Sequence, residues 1–189
     1  PSWSLGTRSR FCERVGGQEV AQQQREHRAL RHHSEKRRHG RRRAFCIYSV
    51  HHRGTYERPG LVLGLAPGGA VRGAAFRVAE SDWPEVYAYL LEREQPTETY
   101  IEARRAVRLA DGRRVEALVF LSDVRHSQWA GTLSVERQAE LIAGARGLSG
   151  PNIDYLRDLI AHLREEGVRD AAMERLLVMV EHREHALGA

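Results

Sequence analysis

The sequence predicts an α+β domain over residues 44 to 189, built on a mostly antiparallel sheet that can close into a barrel. Three observations carry this expectation. Apolar runs of strand length lie between Ala44 and Ser122 and are joined by glycine-containing turns; one helical stretch is set among them; three more helical stretches follow. No repeat of solenoid length is visible.

The chain of 189 residues suits one domain with a tail. Its net charge of +5 is unevenly spread: residues 1 to 43 hold 12 Lys/Arg against 4 Asp/Glu, which leaves 18 against 21 for the remainder. The first 43 residues therefore form a basic segment. Ending in "REHRALRHHSEKRRHGRRR", with few apolar residues and no sustained period, it reads as disordered. A basic arm can grip phosphates. This one lacks the interleaved aromatics and the folded module that would make such a role specific, so nucleic-acid binding is not expected. Lys36 is the only lysine, a bias that suggests GC-rich coding. No run of 18 apolar residues and no signal-like start are present, so a cytoplasmic protein without a membrane partner is expected. Cys12 and Cys46 form no CxxC pattern, which leaves neither a disulfide framework nor a zinc knuckle.

From Ala44 the texture changes. "AFCIYSV" has strand character. "GLVLGLAPGGAVRGAAFRV" reads as two strands joined in a hairpin, with Pro67, Gly68 and Gly69 in the turn, the glycines permitting positive φ. "YIEARRAVRLADGRRVEALVFLS" is a second hairpin turning at Asp111-Gly112. Later helices are expected over 134 to 146 opened by Ser134, over 152 to 166 closed by Gly167, and over 170 to 185 opened by Asp170.

Between the hairpins, Asp82 can cap a helix that begins near Trp83, with Pro84 in its first turn and Glu85 completing a capping box. At about 100° per residue, Val86, Leu90, Tyr87 and Leu91 span about 140° of arc; Glu94 falls inside it and Glu92 on the far side. Pro96 stops the helix just beyond. Glu92 should be solvated. An inward Glu94 admits two readings, a structural carboxylate paired with an arginine such as Arg93, or a desolvated group with raised proton affinity suited to proton transfer near neutral pH.

"YSVHHRGT", residues 48 to 55, closes a strand. Adjacent histidines on a strand point to opposite sides, so His51 and His52 alone make no metal site. Ser49 has no nucleophile elbow around it, and Ser49 with Arg53 better suits binding a carboxylate-bearing ligand. "LSGPNIDYL" sets a glycine-bounded loop before a helix start, either an anion site or a plainly capped helix. Trp129 and Tyr155 read as core or rim aromatics, and His182 and His185 as residues of a solvated terminal helix.

Together, "RRRAFCIYSVHHRGTYERPGLVLGLAPGGAVRGAAFRV", "VYAYLLERE" and "GLSGPNIDYL" closely resemble the ChaC family of gamma-glutamylcyclotransferases in sequence and order, over about Arg42 to Val180. The resemblance implies a small antiparallel or mixed β-barrel with flanking helices. It also implies cleavage of glutathione to 5-oxoproline and Cys-Gly, with neither metal nor organic cofactor. Its catalytic glutamate, at the end of the "YLxxRE" helix, falls on Glu94. Ser49, His52 and Arg53 lie in the family's segment beside the site, and Tyr100 and Tyr155 are implied as binding or orienting residues. Family members begin with a strand and a "YGSL" loop that holds the γ-glutamyl end. Residues 1 to 41 contain neither that motif nor an apolar first strand, and the junction within "GRRRAFC" has the form that a frameshift or misplaced gene start produces. Without the loop, an inactive or regulatory ligand-binding relative is the alternative expectation.

Overall fold

The computed structural model describes residues 2–6, 40–94 and 98–188. In chain order the elements are β1 (Ser2–Gly6), β2 (Arg41–Ser49), β3 (Gly60–Pro67), β4 (Ala74–Val78), α1 (Trp83–Glu94), β5 (Tyr100–Arg108), β6 (Arg114–Ser122), α2 (Val135–Ile142), β7 (Arg146–Gly147), β8 (Gly150–Pro151), α3 (Asn152–Glu165) and α4 (Ala171–Gly188). Two compact units result, one of Pro1–Arg42 with Pro67–Leu121, the other of Arg43–Ala66 with Ser122–Ala189. Among the described residues no helix is long and apolar enough to cross a membrane.

The first unit holds a mixed sheet of order β4-β1-β6-β5. Strand β1 pairs antiparallel with β4, Ser2 opposite Val78 through Gly6 opposite Ala74, and parallel with β6 through Ser4 and Leu118. This corrects the expectation of a wholly disordered start with no first strand. A five-residue strand flanked on both sides draws its hydrogen bonds from its neighbours and needs no long apolar run of its own, so "SWSLG" gave little warning. The remaining basic residues, 7 to 39, lie outside the described residues, as do residues 95 to 97, which include Pro96. The β5–β6 hairpin forms as expected: Leu109 N–H donates to Arg113 O at 2.8 Å, and Gly112 takes φ 89°, a value that glycine adopts without Cβ strain. Ala75, Val107, Leu109 and Ala117 make this unit's small buried cluster.

The other expected hairpin does not form. Strand β3 pairs with β2, and β4 pairs with β1. Gly68 and Gly69 do take positive φ, 86° and 79°, but the turn is pinned to the start of β2 instead, with Gly68 N–H donating to Gly40 O at 2.9 Å. The six residues between the strands are too many for a tight turn that would force pairing.

The second unit packs β2 and β3 with α2, α3 and α4. Phe45, Leu61, Ile142, Leu156, Leu176 and Val180 form its centre, each no more than 1% exposed. Along α3 the buried Ile153, Leu156, Leu159, Ile160 and Leu163 follow the 3.6-residue period. Helix α2 is capped as expected, Ser134 Oγ accepting from Arg137 N–H at 3.2 Å, but it ends at Ile142 rather than near 146 because the chain turns into the short β7–β8 hairpin. Asp170 Oδ1 accepts from the Ala172 and Met173 N–H groups at the start of α4, and Gly167 ends the segment after α3 with φ 67°.

One polar side chain is buried in that apolar centre. Asn152, 0% exposed, accepts from Leu61 N–H through Oδ1 at 2.7 Å and donates from Nδ2 to Leu61 O at 2.8 Å, so it serves Leu61 as a neighbouring strand would. Gly60 fits beside this pair: a Cβ there would run into the Arg53 carbonyl and lie 2.6 Å from Asn152 Oδ1. Gly60→Ala is expected to lower unfolding free energy by about 2 kcal/mol or more, because backbone has to move, while Gly73→Ala, with open space around it, changes stability by under about 1 kcal/mol. Urea denaturation of the two variants checks this; equal losses would contradict it.

Candidate active site

The helical phase deduced from the sequence is realised in α1. Val86 is buried, Tyr87, Leu90, Leu91 and Glu94 are half-buried, and Ala88 and Glu92 are exposed. Asp82 stands before the helix with its carbonyl accepting from Val86 N–H at 3.0 Å, while its carboxylate takes the Ser81 hydroxyl at 2.7 Å. Trp83 stacks on Tyr87 with ring centroids 5.6 Å apart, and Tyr87 Oη donates to Glu102 Oε2 at 2.6 Å, which ties α1 to β5. The Glu102 carboxylate holds the Tyr87 phenol above its ordinary pKa. The segment that ends in Glu94 is thereby fixed about two and three turns upstream of the carboxylate.

Glu94 itself retains 27% of its side-chain exposure, and its Oε1 lies 3.2 Å from Arg93 Nε. Glu94 thus combines an ion pair with Arg93 and a partly desolvated carboxyl. Desolvation pushes the carboxyl above the usual glutamate range, and the adjacent guanidinium pulls it back only in part. A partly solvated pair of this kind is worth about 1 kcal/mol at most, which is why it does not cancel the loss of water around the carboxylate. Tyr100 opens β5 in the same unit and is half-buried.

In the second unit, four of the expected residues come together around the loop after β2. Ser49, 7% exposed, ends that strand, and its Oγ accepts from Arg53 N–H at 3.0 Å, closing the bend. Arg53 donates from Nη1 to Pro151 O at 3.1 Å, and its guanidinium carbon lies 5.4 Å from the centroid of the Tyr155 ring. Tyr155 in turn meets Phe45 edge-on at 5.8 Å. His52 Nδ1 and Ser149 Oγ are 3.0 Å apart. Among the described residues the other guanidinium N–H groups of Arg53 have no hydrogen-bond acceptor, so a planar, charged fork remains available to a carboxylate.

Two expectations are corrected here. The strand ends at Ser49, so strand alternation no longer governs the histidines, and the His51 and His52 rings meet edge to face at 5.0 Å. The "LSGPN" loop does not leave all its backbone donors open to an anion. Leu148 and Ser149 donate their N–H groups to the His51 and His52 carbonyls at 2.9 Å, Asn152 donates its own to Ala145 O at 2.8 Å, and proline has none to give. Nor is it a plainly capped helix start, since Pro151 precedes α3 without a side-chain cap. The loop is a latch that holds the His51–Arg53 segment. Sequence reasoning missed the two residues that make this possible, Ser149 and Asn152. A polar residue directly after Gly-Pro, at the head of an otherwise apolar helix face, was the available signal for Asn152.

The backbone has the gamma-glutamylcyclotransferase fold of mixed helices and sheets. It superposes on the crystal structure of a selenomethionine-labelled yeast gamma-glutamyl cyclotransferase specific to glutathione with a TM-score of 0.73, covering 98% of this chain and 97% of that one at 20% identity. The sequence pattern of ChaC-like proteins matches residues 28–183, and the chain belongs to that family. It is 37% identical over 141 residues to the glutathione-specific gamma-glutamylcyclotransferase of Escherichia coli (strain K12), covering 75% of this chain and 61% of that protein. It is 35% identical over 131 residues to glutathione-specific gamma-glutamylcyclotransferase 1 of Danio rerio, covering 66% of each. The match thus spans about three fifths to two thirds of the length of these curated relatives.

The raised pKa of Glu94 has a consequence for stability. Since the folded state holds its proton more tightly than the unfolded chain does, ionisation costs stability as pH rises from the ordinary glutamate value through the folded one. Glu94→Gln, which cannot ionise, should therefore gain thermal stability over the parent at pH 8 and show no such gain at pH 3.5. Calorimetric melting at the two pH values checks the sign; a gain at low pH only would reverse it.

Proposed function

We propose that this chain degrades glutathione by intramolecular γ-glutamyl cyclotransfer, releasing 5-oxoproline and Cys-Gly, with Glu94 as the proton-transferring group. The observation that supports it most is the half-buried carboxyl of Glu94 with its raised proton affinity, set against the exposed Glu92 two residues earlier. Family membership and the names of the relatives supply the substrate class.

In this reaction the substrate's α-amine attacks its own γ-carbonyl carbon. A nitrogen–carbon bond closes the five-membered ring, and the bond from that carbon to the cysteine nitrogen breaks. Holding amine and carbonyl in the attacking geometry supplies a large share of the rate, since the nucleophile is already tethered. Two proton movements remain, one off the α-ammonium and one onto the departing cysteine nitrogen. A single carboxylate can make both, accepting the first proton as base and returning it as acid. A glutamate of ordinary acidity would hold that proton too weakly near neutral pH, so burial tunes Glu94 toward the task.

Arg53, with its open guanidinium fork, is assigned to a carboxylate of the tripeptide, and Tyr155 and Tyr100 to orienting it. His52 and Ser49 complete the binding group, Ser49 also holding the bend that presents Arg53. Residues 44 to 189 are read as the cyclotransferase domain and as cytoplasmic, with the strands of the sheets curving toward a barrel.

The assignment is tested by 5-oxoproline and Cys-Gly release from glutathione. Glu94→Gln should lower kcat by about 100-fold or more, in the range of a lost general acid–base, with Glu92→Gln within about twofold of the parent. Equal rates for the two variants would remove Glu94 from the mechanism. Glutathione binding by the parent chain without any Cys-Gly release would identify it as a ligand-binding relative instead.

A further inference from the structure

The carboxylate-binding role proposed for Arg53 leaves open what holds that guanidinium in place, for Arg53 lies in a loop and reaches across to the start of α3. Three contacts converge on the answer. Pro151, whose carbonyl receives Arg53 Nη1 at 3.1 Å, directly precedes Asn152. Gly60, which has no room for a Cβ against the Arg53 carbonyl, directly precedes Leu61. Asn152 and Leu61 are joined by the two buried hydrogen bonds of 2.7 and 2.8 Å. Both the backbone of Arg53 and the acceptor for its side chain therefore rest on residues adjacent to a single side-chain-to-backbone clamp. Tyr155, whose ring lies beside the guanidinium, sits on the same first turn of α3.

We infer that Asn152 is a positioning residue for substrate binding: by clamping Leu61 it sets the distance between the Gly60 backbone and the Pro151 carbonyl, and so the direction in which the Arg53 fork points. It does not touch the substrate. The inference rests on the reading of Arg53 as the carboxylate-binding group. It goes beyond a structural role because the two bonds could hold the core together without affecting ligand affinity. A serine at 152 is too short to span both Leu61 groups, whereas an aspartate keeps the shape and the acceptor for Leu61 N–H but, when ionised, loses the donor and sets its charge against the Leu61 carbonyl.

Steady-state kinetics on the full chain with glutathione separate these roles. Asn152→Ser should raise KM about tenfold with kcat within about twofold of the parent, while Leu176→Ala, a buried-core change that lowers the melting temperature in α4, should leave KM unchanged. Arg53→Ala should raise KM at least as much, and the double variant Asn152→Ser/Arg53→Ala should be no worse than Arg53→Ala alone, because residues acting through one contact are not additive. If Asn152→Ser fails to fold, Asn152→Asp is read in the same cycle. A KM for the Asn152 variant that matches Leu176→Ala, or additive effects in the double variant, would overturn the inference while leaving the role of Arg53 intact. An Arg53→Ala enzyme with the parent's KM would overturn both.

Discussion

The second unit depends on the clamp between Asn152 and Leu61. A buried amide in an apolar centre is costly unless both its donor and its acceptor are used, and here both are, at 2.8 and 2.7 Å. Replacing it with an apolar residue would strand the Leu61 N–H and C=O at about 1–3 kcal/mol each. The clamp joins β3 to the first residue of α3, and α3 brings five apolar side chains to the core. From that junction the chain runs back through Pro151 and Gly150 to the β7–β8 hairpin, whose loop N–H groups hold the His51 and His52 carbonyls. One polar residue thus organises a hairpin, a helix start and the loop after β2.

Glu94 obeys a different constraint, the pitch of a helix. Two carboxylates two residues apart on α1 cannot share a face, so one loses water and the other keeps it. The loss is what changes the chemistry, because burial favours the neutral acid and the pair with Arg93 is too solvated to reverse that. Anchoring comes from Tyr87, which bonds to Glu102 on β5 and stacks on Trp83. In the proposed reaction, whose nucleophile is carried by the substrate, such a carboxylate would relay a proton between two nitrogens of one molecule.

Much of this was legible in the sequence wherever a signal is local. The phase of Glu94, the Ser134 cap, the Asp111-Gly112 turn and the glycines after Pro67 follow from residue spacing and φ preference within a few positions. What was not legible depends on partners distant in the chain. The apolar run through Pro67 looked like a hairpin because two strands flank a glycine turn, yet β3 and β4 pair with β2 and β1, and only the choice of neighbour decides that. Strand β1 was missed because "SWSLG" has little apolar content and takes its register from β4 and β6. The role of Asn152 is equally invisible locally, since its partner Leu61 lies 91 residues away. The resemblance of three separated motifs to one family supplied what local physics could not, namely the family to which the chain belongs.

On the proposed function, the chain closes a ring within its substrate instead of bringing in water. Running the reaction in water labelled with oxygen-18 and weighing the products by mass spectrometry tests this directly. The account predicts unlabelled 5-oxoproline alongside Cys-Gly, because no solvent oxygen enters the γ-carbonyl. Glutamate carrying the label in its γ-carboxylate would show hydrolysis and contradict it.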